Sequence, residues 1–397
     1  MNAEVTSLFD NLSLSYSGDH AWKKVVHSQT GRFPLLQSVP ELKIVFTQEV
    51  GRNFRALQDV PSNLEENHTP DEATLRKLLH DNQLRAAFSL TTKILLNEAE
   101  QMNQRLHVWQ TRLNLYIRFG AFNEAKLELE QFSQLEDLPI QFGQNSAHGG
   151  IPFTLLLTVA HLHLLCGAKD RAQAKLSKLL HQCQENIVFY REKANDAFVQ
   201  LWKERELRVI AMLTNYGVEQ NDLKFAISSL LQLRSKQTDP ADLVKTESQL
   251  GKLFLQFGDL DTAENHFKEA ARFCKGDLDD QLQQLLNKAL LAIANGDYQA
   301  ANAAYEEGSK LQPDNITFIN NRVVCALYLG RSSDGVQLLE EAFAANPAAA
   351  INECTIGNIC ALYRLQSHGE AKKEAIRQMV AKYGRETFNC QVLDTEV

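Results

Sequence analysis

Two consecutive segments between residues 282 and 349 repeat each other in register, at a spacing of 34 positions. The repeated pairs, each of one size class, are Gly296 and Gly330, Ala301 and Gly335, Tyr305 and Leu339, Gly308 and Ala342, and Pro313 and Pro347. A period of this length is typical of a helix–turn–helix hairpin, which cannot bury its apolar face alone and stacks on copies of itself. The pair therefore predicts an all-α fold. Its 34-residue register can be used to locate further repeats along the chain.

The spacing and the residue types resemble the tetratricopeptide repeat (TPR). The expected fold class is all-α, a right-handed α-solenoid of TPR-type hairpins. Weaker units follow the same pattern at 106–139, 153–186, 207–240 and 244–277, and a last one begins after Pro347. In such units a small residue at position 8 of the first helix lets neighbouring helices approach closely. Replacing Ala289 or Gly357 by Leu is therefore expected to overpack a crossing by about 1–3 kcal/mol.

Two domains are predicted. Residues 1–70 form an N-terminal extension that is irregular or holds short helices, because four of the nine prolines lie there. Its aromatic residues either dock on the array or a partner, or belong to a mobile tail. Residues 71–397 form the helical solenoid with capping helices at its C-terminal end. Its first helix is expected to begin with Thr69 as N-cap and Pro70 at the first position.

Two stretches interrupt the period. Residues 140–150 read as an inserted loop, and residues 187–206 as either extended helices or an insertion. The apolar stretch 151–168 is nearly long enough for a bilayer, but it contains Pro152, His161 and His163. A buried first helix of a repeat explains it better than a membrane span.

The first helix of each unit lines the inner surface of a stack of hairpins. Positions 2, 5, 9 and 12 of that helix face a groove, and in the opening pair these positions are more apolar than a solvated face. The candidate partner groove consists of Gln283, Leu286, Leu290, Ile293, Thr317, Asn320, Val324 and Leu327. Either a partner protein or the chain's own termini would cover it.

Composition excludes several classes of protein. The net charge is −8, from 41 Lys and Arg against 49 Asp and Glu, and no basic run stands out, so nucleic acid is not an expected partner. The seven cysteines are scattered without a C-x-x-C pair, which favours reduced cytosolic thiols. The N-terminus lacks the pattern of a signal peptide.

No catalytic or phosphate-binding motif is present. His161 and His163 lie two apart on a helix and hence on different faces, so they are poorly placed to share a metal. The acidic cluster around Glu128 is expected on a solvated surface. The sequence thus predicts no enzyme, no cofactor and no metal site.

A clamp for the C-terminal carboxylate of a heat-shock protein needs Lys and Asn at set groove positions. The corresponding residues here are Ser248, Lys252, Asn287, Thr317 and Asn321, of which Asn287 alone fits. A co-chaperone clamp is therefore disfavoured.

Several segments, in this order, resemble subunit 12 of the transport protein particle (TRAPP) tethering complex. These are FGAFNEAKLELEQFSQLED, GGIPFTLLLTVAHLHLLCG, LGKLFLQFGDLDTAENHF, the run from Asn320 to Gln366, and the tail FNCQVL. The resemblance covers roughly residues 75–397. Residues 1–70 are not placed by it.

The resemblance implies a non-catalytic scaffold. Members of that family join the large peripheral subunits to a small-subunit core that activates a Rab GTPase in ER-to-Golgi transport and autophagy. The implied partners are other TRAPP subunits and, indirectly, the Rab GTPase, with no membrane span. The implied location is the cytoplasm, peripherally at ER–Golgi intermediate and Golgi membranes. The alternative is another cytosolic TPR adaptor, such as a co-chaperone or motor adaptor.

Overall fold

The computed structural model describes residues 71–96, 102–132, 153–366, 369–385, 388 and 390–393. Within these ranges every regular element is helical, so the predicted all-α class is confirmed. The chain divides into two compact units between Met212 and Leu213, inside one long helix. The predicted N-terminal extension, 1–70, and the predicted loop, 140–150, lie outside the described residues. The two-domain division therefore stays a prediction.

The described part of the first unit contains six helices and the first part of a seventh. These helices are α1 (Glu72–His80), α2 (Leu84–Leu96), α3 (Met102–Phe119), α4 (Phe122–Phe132), α5 (Phe153–Leu165), α6 (Lys169–Glu192) and the first part of α7 (Asp196–Glu219). From α1 to α6 each helix packs on the next along the chain, and α3 also packs on α5. The stretch 187–206 is explained by helix extension, because α6 and α7 each run for 24 residues.

The second unit holds the regular repeats. After the end of α7 come α8 (Leu223–Lys236), α9 (Pro240–Phe257), α10 (Leu260–Phe273), α11 (Leu278–Ala294), α12 (Tyr298–Leu311), α13 (Ile316–Tyr328), α14 (Ser332–Ala345), α15 (Pro347–Ala350), α16 (Glu353–Arg364), α17 (Gly369–Tyr383) and a 3-10 turn (Cys390–Leu393). Each helix packs on the next along the chain from α8 to α15, α16 packs on α14 and α17, and α9 also packs directly on α11.

Three turns between paired helices follow one local rule. A residue at or just after the end of the first helix adopts a left-handed conformation, with φ of 57° at Asn221, 90° at Gly258 and 78° at Gly296. Glycine and asparagine tolerate this region best. In these three turns the next residue is an aspartate whose side chain accepts from the amide three residues on, as Asp259 does from Thr262 at 3.0 Å. The sequence thus dictates where the second helix of the hairpin begins.

Small residues at the crossings confirm the repeat register. A Cβ on Gly251 would lie 2.3 Å from the ring of Phe267, and one on Gly308 would lie 2.1 Å from the ring of Phe318. Neither ring could stay where it is. Ala289 is fully buried, as its place at a crossing requires.

Three expectations need correction or limits. The first described helix begins at Glu72 and is capped by Asp71, whose carboxylate accepts from the Thr74 amide at 2.6 Å. The predicted cap at Thr69 is therefore wrong.

Gly357 does not lie against a neighbouring helix. A Cβ built on it would have Val392 of the C-terminal turn as its nearest neighbour, at 3.6 Å. The apolar stretch near 151–168 forms a helix of 13 residues, α5. Among the described helices, none has the length and apolar character needed to cross a membrane.

Candidate functional site

The eight residues of the predicted partner groove lie on α11 and α13. Six of them are half-buried: Gln283, Leu286, Leu290, Ile293, Asn320 and Val324. Thr317 is exposed, and Leu327 keeps 45 % of its surface open to solvent. Leu286 and Ile293 pack with one side against the core formed by α11, α12 and α13. The row is therefore a partly exposed apolar surface, and its role as a partner groove stays a prediction.

Two of the eight residues also hold the stack together. Gln283 donates to the side-chain oxygen of Asn287 at 2.9 Å, and Asn287 in turn donates to Ser248 on α9 at 2.9 Å. Two repeats further on, Asn358 of α16 donates to Asn320 of α13 at 2.8 Å. The Asn287–Ser248 and Asn358–Asn320 bonds join first helices of different hairpins, and Gln283 supports the first of them from within α11. Gln283 and Asn320 are therefore not reserved for a partner.

The hydrogen bonds of Asn287 bear on whether the chain could form a heat-shock clamp. It is buried, with 4 % of its surface exposed, and both ends of its amide are engaged within the chain. The one residue that fitted the clamp pattern is thus occupied by a structural role, which adds to the case against a clamp.

The sequence reasoning missed an aromatic pair at the edge of this surface. Tyr298 and Tyr328 stack with ring centroids 4.4 Å apart and planes within 4°. Tyr328 is 64 % exposed and follows the exposed Leu327 directly. Tyr298 lies two residues after the turn glycine Gly296, and Tyr328 lies two residues before the turn glycine Gly330. This position of both rings beside a turn is the sequence signal that could have identified the pair. They extend the apolar surface to the turn end of the hairpins.

A second cluster of polar groups lies in the core of the first unit. Arg112 is 1 % exposed and donates to both oxygens of Glu128, at 3.2 and 3.0 Å. Its guanidinium also donates to Thr92 at 2.8 Å and to the Tyr116 hydroxyl at 3.1 Å, and it lies 4.1 Å from the centre of the Phe88 ring. Glu128 is therefore buried in an ion pair, and the expectation of a solvated surface is wrong for this residue.

The electrostatics of this cluster favour the charged pair. Burial by itself would lower the pKa of Arg112, but the neighbouring Glu128 and Tyr116 outweigh that effect and the pKa is raised. Burial, followed by the charge of Glu128, raises the pKa of Tyr116, whose hydroxyl donates to Glu128 at 2.9 Å. Trp109 supplies a further donor to the carboxylate at 2.5 Å. With its charges paired and donors satisfied, the cluster is suited to fixing helices rather than to catalysis.

The second unit has a smaller buried carboxylate. Glu247 is fully buried on α9, where Arg234 of α8 donates to one of its oxygens and His266 of α10 lies 2.7 Å from the other. The imidazole of His266 stacks on Phe254, with centroids 5.2 Å apart. Glu247 thus joins three helices, whereas the donors to Glu128 in the first unit all lie on α3.

His161 and His163 both lie on α5, as expected. His163 is buried and His161 half-buried, and burial lowers the pKa of His161 to about 4. No set of three or more His, Cys, Asp or Glu side chains in the described ranges is arranged to hold a metal ion.

A tetratricopeptide repeat family model matches residues 285–315, which span the turn between α11 and α12. Two curated relatives align over 80 % of the chain at 25 % identity: trafficking protein particle complex subunit 12 of mouse, over 351 residues, and of human, over 354 residues. The predicted resemblance to this subunit is thereby confirmed. The aligned part covers 44 % of the mouse protein and 48 % of the human one, so the chain spans about half the length of these relatives.

Solved structures with similar helical arrays include a tetratricopeptide repeat protein from Parabacteroides merdae, at 12 % identity and a TM-score of 0.36, covering 87 % of this chain and 97 % of that one. The C-terminal part of a TPR protein from Cytophaga hutchinsonii matches at 13 % identity and a TM-score of 0.38, covering 76 % and 98 %.

Proposed function

We propose that this chain is a non-catalytic scaffold subunit of a TRAPP-type tethering complex. The observation that carries the proposal is the alignment with subunit 12 relatives across 80 % of the chain, on an array of helical hairpins. Helical repeats of this kind offer extended surfaces for other proteins and need no catalytic residues. The described polar clusters fit that role, since the buried carboxylates Glu128 and Glu247 both bind side chains of neighbouring helices.

The finer part of the proposal concerns partners and place. The chain would contact the large peripheral subunits and the small-subunit core, and would support Rab activation in ER-to-Golgi transport and autophagy. It would lie in the cytoplasm, peripherally at ER–Golgi intermediate and Golgi membranes. The row from Gln283 to Leu327 is the surface proposed to receive one of these partners.

Affinity purification of the tagged full chain from cells of the source species tests the proposal. Recovery of several TRAPP subunits in stable proportion is the expected result. Recovery of heat-shock or motor proteins without any TRAPP subunit would contradict it and favour the alternative of another TPR adaptor.

A second measurement separates scaffold from enzyme. Nucleotide exchange on the Rab GTPase is followed with the purified chain alone and with the complex purified from cells. The chain alone is expected to leave the exchange rate unchanged, whereas the complex accelerates it. Acceleration by the isolated chain would contradict a scaffold role.

A further inference from the structure

The hairpin formed by α6 and α7 extends beyond its neighbour α5. Each of the two helices has 24 residues, whereas α5, which packs on α6, has 13. Gln184 of α6 donates to Glu206 of α7 at 3.3 Å across the short turn that joins the helices, so they run antiparallel. Phe153, the first residue of α5, meets Trp202 of α7, with ring centroids 6.1 Å apart. Residues 188–201 therefore lie beyond the end of α5 and form the tip of the hairpin.

The tip exposes apolar side chains on both of its helices. Val188 on α6 keeps 53 % of its surface open to solvent, and Phe198 on α7 keeps 37 %. Ala194, in the turn, and Ala197 are also exposed. These residues fall within the stretch 187–206, where the 34-residue period is interrupted, so the stacking of repeats does not account for them.

Aromatic contacts fix the shape of the tip. Tyr190 stacks on Phe198 across the turn, with ring centroids 4.8 Å apart and planes within 19°. The ring of Phe189 meets Tyr190 edge-on at 5.2 Å, and the ammonium of Lys193 lies 4.1 Å from the centre of the Phe189 ring. The amide of Asn195 donates to the Tyr190 carbonyl at 3.0 Å, and its side chain accepts from the Phe198 amide at 3.3 Å. The tip can therefore bind without first being ordered, which lowers the entropic cost of binding.

The size of the tip favours a membrane surface over a protein partner. It comprises 14 residues, whereas a stable protein interface takes about 20–30 residues from each side. A lipid surface needs no complementary shape, and a helix that lies on it buries its apolar side chains about 5–10 Å deep. Residues 196–201 of α7 span about 9 Å along the helix axis, which matches this depth.

The charged side chains of the tip are balanced in sign. Arg191 and Lys193 are cationic, Glu192 and Asp196 are anionic, and all four are exposed. A zwitterionic lipid headgroup carries one phosphate and one ammonium group, so side chains of both signs find an opposite charge there. The stem of Lys193 already lies along the Phe189 ring, and such a side chain keeps its ammonium among the headgroups while its carbons contact apolar surface. An anionic surface would instead be opposed by the chain's net charge of −8.

We infer that the tip of α6 and α7 inserts into the surface of a membrane rich in zwitterionic lipids. Val188 and Phe198 reach the boundary of the acyl chains, and the four charged side chains stay among the headgroups. The inference rests on the proposed function in one respect, that the chain works at a membrane, and it adds that the chain itself touches lipid.

Flotation of the purified full chain with vesicles of phosphatidylcholine alone tests whether lipid is bound. The wild-type chain is expected to float with the vesicles. Val188→Glu should weaken binding at least about tenfold, because a charge replaces an apolar side chain at the acyl boundary. The matched control is Leu127→Glu on α4 of the same unit, where Leu127 is 50 % exposed, and it should stay within about twofold of wild type. No flotation of the wild-type chain, or equal losses in the two variants, would overturn the inference.

Quenching by brominated phosphatidylcholine shows which part of the chain enters the membrane. Val188→Trp places an indole on the tip, and Leu127→Trp places one at the control position. Brominated vesicles should quench the added fluorescence of Val188→Trp and leave that of Leu127→Trp unchanged, while both variants keep the helical content of wild type. Equal quenching in the two variants, or none in Val188→Trp, would refute insertion of the tip.

The composition of the vesicles tests the choice of zwitterionic lipid. Adding about 30 % phosphatidylserine should change the binding of the wild-type chain by less than about twofold, because the charges of the tip cancel. A larger gain that disappears in high salt would show binding through cations and would overturn the inference.

The outcomes also separate the inference from the proposed function. If the purified chain binds vesicles through the tip but no TRAPP subunit is recovered from cells, the proposed function fails and the inference stands. If TRAPP subunits are recovered and the purified chain binds no vesicles, the inference fails and the proposed function stands. Loss of a protein partner in Val188→Glu, without vesicle binding by wild type, would assign the tip to a protein interface and overturn the inference.

Discussion

The two units of this chain solve the same packing problem in different ways. In the second unit, glycines at the crossings let aromatic rings close over the backbone, as Phe267 does over Gly251 and Phe318 over Gly308. In the first unit, a buried ion pair between Arg112 and Glu128 joins α3 and α4, and reaches α2 through Thr92.

The glycine–ring contacts and the buried ion pair make helix packing specific in different ways. A small residue that faces a large one is a match of side-chain volumes. Such a match recurs wherever the repeat places the same residue types at the same positions. A buried ion pair depends on a set of partners that must all be present, because each missing partner leaves an unpaired group in a medium of low dielectric. We therefore expect the first unit to respond most to the loss of the Arg112 charge. The second unit, which also holds the buried carboxylate Glu247, should respond in addition to the gain of one methyl group at a crossing.

The largest effect is expected from removing the buried cation. Arg112→Met leaves the carboxylate of Glu128 buried without its ion-pair partner, and should lower the free energy of unfolding by about 3–5 kcal/mol. The control is Arg76→Met, the same substitution at an exposed pair in which Arg76 lies 2.6 Å from Glu72. That variant should cost no more than about 0.5 kcal/mol. Urea denaturation followed by circular dichroism measures both, and equal stabilities would contradict the account.

The second unit is tested by adding a single methyl group. Gly308→Ala forces the buried ring of Phe318 to move and should destabilise by about 1–3 kcal/mol. Gly357→Ala is the matched control, because its new Cβ would meet Val392 at an ordinary 3.6 Å. The control should be neutral or gain up to about 1 kcal/mol, since alanine favours a helix over glycine. A larger loss at Gly357 than at Gly308 would show that the crossings are misassigned.

A pH dependence specific to the first unit follows from His161. Its pKa of about 4 in the folded chain lies below the ordinary value of 6.5, so the unfolded chain binds the extra proton first. Stability should therefore fall as the pH drops from about 6.5 towards 4, by on the order of 1–2 kcal/mol between pH 7 and pH 5. His161→Gln should flatten this dependence when unfolding is measured at both pH values. An unchanged pH slope in that variant would refute the assignment.

The smallest expected effects are changes in the rate of thiol alkylation. They can be followed in each unit through its own buried cysteine. Burial raises the pKa of Cys183 in the first unit to about 12, and burial also raises the pKa of Cys325 in the second. Exposed Cys354 should react with iodoacetamide in the native chain, whereas both buried thiols stay protected.

With rising urea, labelling located by mass spectrometry shows which unit opens first. In Arg112→Met, Cys183 should become reactive at lower urea than in the wild-type chain. An unchanged midpoint for Cys183 would contradict the stabilising role of the Arg112–Glu128 pair.

The sequence predicts the second unit well because the residues that determine its turns and crossings are adjacent or are separated by a fixed period. The turn at Gly258 and the cap at Asp259 follow from adjacent residues, and the crossings at Gly251 and Gly308 follow from a fixed period. Each signal requires knowledge of one hairpin and its neighbour.

The remaining features depend on side chains that meet from distant positions without a period. Arg112 reaches Glu128 sixteen residues later and Thr92 twenty residues earlier, so no repeat register brings the three together. The same reason applies to Tyr298 and Tyr328, and to Val392 of the C-terminal turn beside Gly357. Periodicity identified the candidate face but not the internal hydrogen bonds of Gln283 and Asn320.

The most direct test of the proposed scaffold is quantitative co-purification with two matched variants of the full chain. Leu327→Glu places a charge on the exposed apolar face of α13, and Ala303→Glu places the same charge on an exposed position of α12. The account predicts that TRAPP subunits are recovered with wild type and Ala303→Glu, and are reduced at least about fivefold with Leu327→Glu, while all three chains show the same helical content. Equal recovery with both variants would contradict the claim that this face binds the partner.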